Sequence, residues 1–296
     1  MKIDGQYYPW TAMLVAGLLQ ACSAADPQPA DSAVEAKGKT MENVFDKPEN
    51  LRVIFHPRPD NRPNDTHDIT IKVDDDVALA GRLFKAKSES PLVLFFHGNG
   101  EIASDYNDIA GFYGQLGLSL LIVDFRGYGK SEGTPTVTTL LSDARQIFDQ
   151  LPAFMEANKL KPARLYVMGR SLGSASALEI ATHAGNGIAG LIIESGFAYP
   201  AQLVERLGGR VGDVKDETGT DGTLGALGKI AAISVPTLII HGERDWIIPI
   251  TDAQALHYHS GATNKTLVQV PGAGHNDLLW RGQQQYFDAL KAFTAP

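Results

Sequence analysis

The sequence predicts an α/β fold: a mostly parallel central sheet with helices on both faces and an antiparallel hairpin at its N-terminal edge. Three observations carry this expectation. From residue 91 onward, short continuous apolar runs alternate with segments of helical periodicity, the pattern of strands buried on both sides. Ahead of them, Ile69 to Val73 and Val77 to Phe84 flank the charged turn Asp74-Asp75-Asp76, which reads as a hairpin with a solvated tip rather than a metal loop. The chain has 296 residues, 44% of them hydrophobic and 20% charged, enough to bury one large core.

Taken in order, the chain opens with Lys2, a short apolar run from Trp10 to Leu19 and then small residues, so residues 1–26 read as an export segment. The run falls short of the roughly 20 apolar residues that cross a bilayer. Leu19-Gln20-Ala21-Cys22 resembles the lipobox of bacterial lipoproteins. That resemblance implies a signal segment over residues 1–22, lipidation of Cys22 and a tether at the cell envelope. An ordinary signal peptide cut after Ala25, giving a secreted or periplasmic product, or an uncleaved tail, is the alternative. Cys22 is the single cysteine, so an intramolecular disulfide and a cysteine-rich metal site are excluded. A net charge of -8 with no Lys/Arg cluster excludes a nucleic-acid surface.

Residues 23–50 are rich in Ala, Asp, Pro, Glu and Lys without apolar periodicity, and are expected to form a linker. The folded domain is expected over residues 51–296. It starts with a short strand from Leu51 to Phe55 and continues with the hairpin. The parallel strands follow at Leu92 to Phe96, Leu118 to Val123, Leu165 to Met168, Leu191 to Ile193, Thr237 to Ile240 and Leu267 to Val270. Between them, Tyr106, Ile109, Tyr113 and Leu116, and again Leu140, Ala144, Ile147 and Leu151, recur at helical spacing as core faces.

Ligands of such sheets sit beyond the carboxyl ends of the strands, and each motif lies there. The run Leu165 to Met168 leads into Gly169-Arg170-Ser171-Leu172-Gly173, the G-x-S-x-G pattern of a sharp strand-to-helix turn that exposes a serine hydroxyl. Its tight spacing explains the glycines and the small Ser174 and Ala175. The Leu172 N–H, at the start of the following helix, is placed to face a developing oxyanion. A second donor is expected from Asn99 in the glycine turn His97-Gly98-Asn99-Gly100-Glu101. His97 precedes the serine and reads as structural, as do Asp124 and Arg126 in Asp124-Phe125-Arg126-Gly127-Tyr128-Gly129-Lys130. After the serine, Asp245 stands in the turn past Thr237 to Ile240 and is the expected acid, with Glu194 and Glu243 as rivals and Asp252 at the start of a helix. His275 follows the glycine turn Pro271-Gly272-Ala273-Gly274 and is the expected base; His241 is the one other histidine close enough to perturb it.

With serine, acid and histidine in that order at successive strand ends, the chain from about Leu51 to its last helix resembles the α/β-hydrolase superfamily. HGNG, DFRGYGKSEG, GRSLGS, HGERD and GAGH are similar to the small serine hydrolases without a large cap, a branch of esterases, thioesterases and serine-aminopeptidase relatives. The resemblance implies Ser171 as nucleophile, His275 as general base then acid, Asp245 as the group orienting the imidazole, and Asn99 and Leu172 as oxyanion donors. It implies no metal, no organic cofactor and a small-molecule acyl substrate. Arg170 stands where many lipases carry histidine, so a lipase substrate preference is not carried over. Residues 196–234, where such enzymes insert lids, hold one amphipathic piece, Ala201 to Leu207, and a Gly-, Asp- and Thr-rich stretch. A small flap is expected there, with Asp213, Asp216, Glu217 and Asp221 as solvated carboxylates. Cleavage of carboxylic esters or thioesters is the leading expectation. A peptidase acting on small amides, or a non-enzymatic envelope binding protein on the same fold, is the alternative.

Overall fold

The computed structural model describes residues 43–74, 76–212 and 224–295. The export segment with Cys22, residues 23–42 of the expected linker, Asp75, and the flap carboxylates Asp213, Asp216, Glu217 and Asp221 lie outside the described residues. Among those described, eight strands form one sheet: β1 (Asp68–Asp74), β2 (Val77–Phe84), β3 (Leu92–Phe96), β4 (Ser119–Val123), β5 (Leu165–Arg170), β6 (Gly190–Glu194), β7 (Thr237–Gly242) and β8 (Lys265–Val270). Their spatial order is β1-β2-β4-β3-β5-β6-β7-β8. β2 runs antiparallel to both β1 and β4, and all other neighbours are parallel. The hairpin and the parallel strands therefore join one sheet, as the hydropathy pattern requires.

Alternation along each strand builds two core layers. In β3, Leu92, Leu94 and Phe96 face one layer while Val93 and Phe95 face the other; in β4, Leu121 and Val123 oppose Leu120 and Ile122. The first layer is completed by α3 (Val137–Ala157), α4 (Gly173–Ala184), α6 (Ala226–Ala232) and α7 (Ile250–His259), which contribute Leu140, Ile147, Leu178, Ile230 and Leu256. The second is completed by α2 (Asn107–Gln115) and α8 (Leu278–Thr294) through Ile109, Tyr113, Tyr286 and Leu290. Because helices cover both faces, β3 and β4 are buried throughout, and among the described strands only the outermost β1 and β8 show exposed positions at intervals.

Two expectations fail at the start of the domain. Leu51 to Phe55 is not a strand: residues Pro48–Ile54 form the helix α1, with Pro48 in its first turn. Only Ile54 and Phe55 of this run are fully buried while Arg52 is exposed, so the segment needs one apolar stripe rather than two faces. Residues 43–50, assigned to the linker, are folded as well, with a 3₁₀ turn at Val44–Asp46 that buries Phe45. The amphipathic piece past β6 is the helix α5 (Pro200–Arg206).

Asn50 explains why the fold extends so far forward. It is fully buried; its amide donates to the carbonyls of Val44, at 2.9 Å, and Arg210, at 3.0 Å, and its Oδ1 accepts from the Arg210 N–H at 2.7 Å. One side chain thus ties the first described residues to the loop after α5. Asn50→Ala strands all three backbone groups and is expected to lose about 2 kcal/mol or more of stability. A urea midpoint equal to that of the parent protein would refute the clamp.

Candidate active site

Parallel register carries the chemistry-bearing residues to one rim. β5 ends at Arg170, and the next residue, Ser171, takes φ +50°, a left-handed conformation that only a tight turn imposes on a non-glycine residue. Its N–H donates to the Glu194 carbonyl at 2.9 Å, and its own carbonyl accepts from the Ser174 N–H at 3.0 Å and the Ser174 hydroxyl at 2.6 Å. The turn closes because its flanks are bare. A Cβ on Gly173 would lie 2.1 Å from the Phe96 carbonyl oxygen, and one on Gly169 would lie 2.2 Å from that of Gly173.

The structure brings Ser171, His275 and Asp245 together from three strand ends. His275 Nε2 lies 2.9 Å from Ser171 Oγ, and its Nδ1 lies 2.6 Å from Asp245 Oδ2. Since a carboxylate only accepts, Nδ1 carries the proton and Nε2 is free to accept from the serine. Asp245 Oδ1 accepts from the N–H groups of Ile247, at 3.0 Å, and Ile248, at 2.8 Å. His241 Nε2 stands 3.3 Å from Asp245 Oδ2 and 2.8 Å from the Ile248 carbonyl, so it too carries a proton on that nitrogen. Burial alone would raise the Asp245 pKa; the bonds from His241 and His275 outweigh it and hold the carboxyl well below the usual range. Burial lowers the His275 pKa, against the pull of Asp245, and the nearby positive charge of Arg170 lowers it further.

Asn99 and Leu172 lie on the two elements that meet at Gly173. Leu172 caps α4, and the turn after β3 is fixed by its side chains: Asn99 Oδ1 accepts from the His56 N–H at 2.9 Å and the Tyr128 hydroxyl at 2.6 Å. Glu101 Oε2 takes the Gly98 N–H at 2.7 Å and the Tyr106 hydroxyl at 2.5 Å. The two rivals for the acid are placed differently. Glu194 faces Arg170 and the Tyr286 hydroxyl, and Glu243 is exposed. His97 is fully buried, 3.2 Å from Asp124, while Arg126 binds Asp143 and Asp74. Asp252 does more than open a helix: it accepts the Ala198 N–H at 2.9 Å and so ties down the loop after β6.

Sequence reasoning missed the buried partners of Arg170. Its Nε donates to Glu101 Oε1 at 2.9 Å, its Nη1 lies 3.5 Å from Glu194 Oε1, and its Nη2 donates to Asn276 Oδ1 at 3.2 Å. A signal was present. An arginine ending an apolar strand requires buried acids, and parallel pairing of β5 with β6 sets Arg170 beside Glu194. Among the described residues, no group of three or more His, Cys, Asp or Glu side chains is arranged to hold a metal ion.

The chain is similar to several known proteins. A family model described as serine aminopeptidase, S33, matches residues 87–215 and 219–279. A protein of Mycobacterium tuberculosis described as uncharacterized is 31% identical over 237 residues, covering 76% of this chain and 78% of its own. An uncharacterized membrane protein of Saccharomyces cerevisiae is 29% identical over 243 residues, covering 79% of this chain and 81% of its own. Among solved structures, the Pyrococcus furiosus esterase Pf2001 aligns with a TM-score of 0.64 at 20% identity, over 80% of this chain and 98% of that one. Est1E of Butyrivibrio proteoclasticus gives 0.58 at 18% identity, over 77% and 97%. At these identities the structural likeness is one of fold.

The proton placement is open to direct measurement. An NMR titration of the His275 ring is expected to show a midpoint below its usual value of 6.5. In Asp245→Asn the midpoint should fall further, because the carboxylate that favours the imidazolium is gone; a rise would overturn this assignment.

Proposed function

As the chain belongs to the S33 serine aminopeptidase family of α/β hydrolases, we propose that it cleaves carboxylic esters or thioesters of a small acyl substrate through an acyl-enzyme on Ser171. The observation that carries this reading is the run of contacts from Ser171 Oγ through His275 to Asp245, at 2.9 and 2.6 Å, on a serine held at φ +50°. In the first step His275 Nε2 takes the hydroxyl proton as Oγ attacks the carbonyl carbon, and the N–H groups of Leu172 and Asn99 receive the developing oxyanion. Collapse of the tetrahedral intermediate breaks the bond to the leaving group, which departs with the proton from His275. Water then attacks the acyl-enzyme by the same route and restores the Ser171 hydroxyl. Asp245 keeps the imidazole in the correct tautomer and stabilises its transient charge.

The family description favours a second reading, removal of an N-terminal residue from a small peptide. A free amine calls for an unpaired carboxylate near the serine, and among the described residues the two acids beside the elbow, Glu101 and Glu194, are buried against Arg170. Ester or thioester cleavage therefore leads. A fluorophosphonate probe is expected to label the parent protein and not Ser171→Ala, whose turnover of short-chain esters should fall about 10⁴-fold or more. Aminoacyl amides hydrolysed faster than every ester and thioester would reverse the order of the two readings.

The lipobox-like Leu19-Gln20-Ala21-Cys22 supports placing this activity at a membrane surface through a lipid on Cys22. Labelled palmitate fed to a bacterial host should be incorporated into the parent chain and not into Cys22→Ser. Label persisting in the variant would dismiss the anchor.

A further inference from the structure

We propose that Arg170 is a positioning residue whose guanidinium fork holds three loops in register around Ser171: the turn after β3, the end of β6 and the loop that carries His275. The inference rests on the serine-hydrolase reading of this site and assigns the buried charge beneath it a role. Arg170 directly precedes the serine, so any movement of its side chain is felt at the elbow. Its three nitrogens face three separate elements, Nε and Nη2 as hydrogen-bond donors and Nη1 as an ion-pair partner at 3.5 Å. Nε holds Glu101, whose other oxygen takes the Gly98 N–H and so fixes the peptide next to Asn99. Nη1 faces Glu194, whose carbonyl accepts the Ser171 N–H and whose carboxyl takes the Tyr286 hydroxyl at 2.8 Å. Nη2 donates to Asn276, the residue beside His275. The fork therefore links the segment of one oxyanion donor to the nucleophile and to the base.

Geometry of this kind suits arginine alone. Five N–H donors in a rigid plane serve partners in several directions, whereas a lysine ammonium on a flexible stem satisfies them one at a time. With the side chain almost wholly buried, water does not substitute for a lost donor. The same charge has an electrostatic effect. The titratable and charged groups that face His275 are Asp245 and His241 from β7 and its following turn, and Arg170 with Ser171 from the end of β5. Of these, Arg170 is the fixed cation that disfavours the imidazolium, so its removal raises the pH at which His275 becomes neutral.

The test compares Arg170→Met, Arg170→Lys and Asn276→Ala with the parent protein, using a short-chain ester, the rate of fluorophosphonate inactivation, and a His275 NMR titration without substrate. Arg170→Met is expected to lower kcat and the inactivation rate by about 10²-fold with KM little changed, the penalty of a small misplacement of reacting groups, and to move the acidic limb of the pH profile upward. Arg170→Lys should leave that limb in place yet fail to restore kcat, separating the fork from the charge. A folded Arg170→Met with kcat within about threefold of the parent, or with an unmoved limb, overturns the proposal. Should Arg170→Met not fold, Asn276→Ala decides: about a tenfold loss of kcat at constant KM supports the fork, and full activity sinks it. If the parent neither labels nor turns over any ester, the hydrolase reading fails, while an upward shift of the His275 midpoint in Arg170→Lys or Arg170→Met still judges the arginine: it is expected in the methionine variant only.

Discussion

Backbone-to-backbone contact between the start of α4 and the end of β3 is the constraint on which the site depends. Gly173 meets the carbonyls of Phe96 and His97 at a distance no side chain permits. That contact makes Leu172 and the turn bearing Asn99 neighbours, and it forces the chain between β5 and α4 to reverse within a single residue. Ser171 absorbs the reversal at φ +50°, a conformation that costs a non-glycine residue about 1–3 kcal/mol. Bonds on both sides of the residue offset this: the Glu194 carbonyl holds its N–H, and Ser174 holds its carbonyl through both backbone and hydroxyl. Strain here is a consequence of packing, and exposure of the hydroxyl is a consequence of the strain.

Two buried charges then face the same imidazole with opposite effect. Asp245 has no permanent cation beside it; two backbone N–H groups and two ring N–H groups satisfy it, so it stays ionised without a rigid salt bridge competing for His275. Arg170 is paired with the carboxylates of Glu101 and Glu194 and donates to Asn276. The imidazole is consequently neutral at rest, because burial and the guanidinium both oppose its charge, yet it keeps an anion at 2.6 Å for the moment a proton arrives. The general-base role proposed for His275 needs both conditions together. Neither charge alone supplies them.

Legibility in the sequence followed the range of the signal. Strands with apolar residues on both faces were readable, because nothing else in a soluble domain demands Leu-Val-Leu-Phe-Phe or Leu-Leu-Ile-Val without interruption. Ser171, Asp245 and His275 were nameable from chain order and strand ends, and the sheet register is what sets them within 2.9 Å and 2.6 Å of one another. The helix α1 was misread because Leu51, Val53, Ile54 and Phe55 suit a strand locally, whereas Pro48 in the first turn carried the opposite signal. Asn50 was invisible as a clamp, since its partner Arg210 lies 160 residues away in the chain. Glu101 escaped for the same reason: its partner Arg170 comes 69 residues later, and no local pattern reports such a pair.

Under the proposed acyl hydrolysis, the loops around the bonded rim are where substrate choice would reside. At the rim of β3, β5, β7 and β8, Ser171, His275 and Asp245 are bonded in one run and Arg170 is bonded to Glu101, so a change in any of these five disturbs the proposed machinery before it alters selectivity. The connection from β6 to β7 is built differently. It carries α5 and α6 and begins at the carboxyl rim beside Ser171, the position from which a loop contacts an acyl group without touching the proton path. Among its described residues, Asp252 holds Ala198 and Tyr199 at one end, Asn50 holds Arg210 further along, and Lys229 pairs with Glu179.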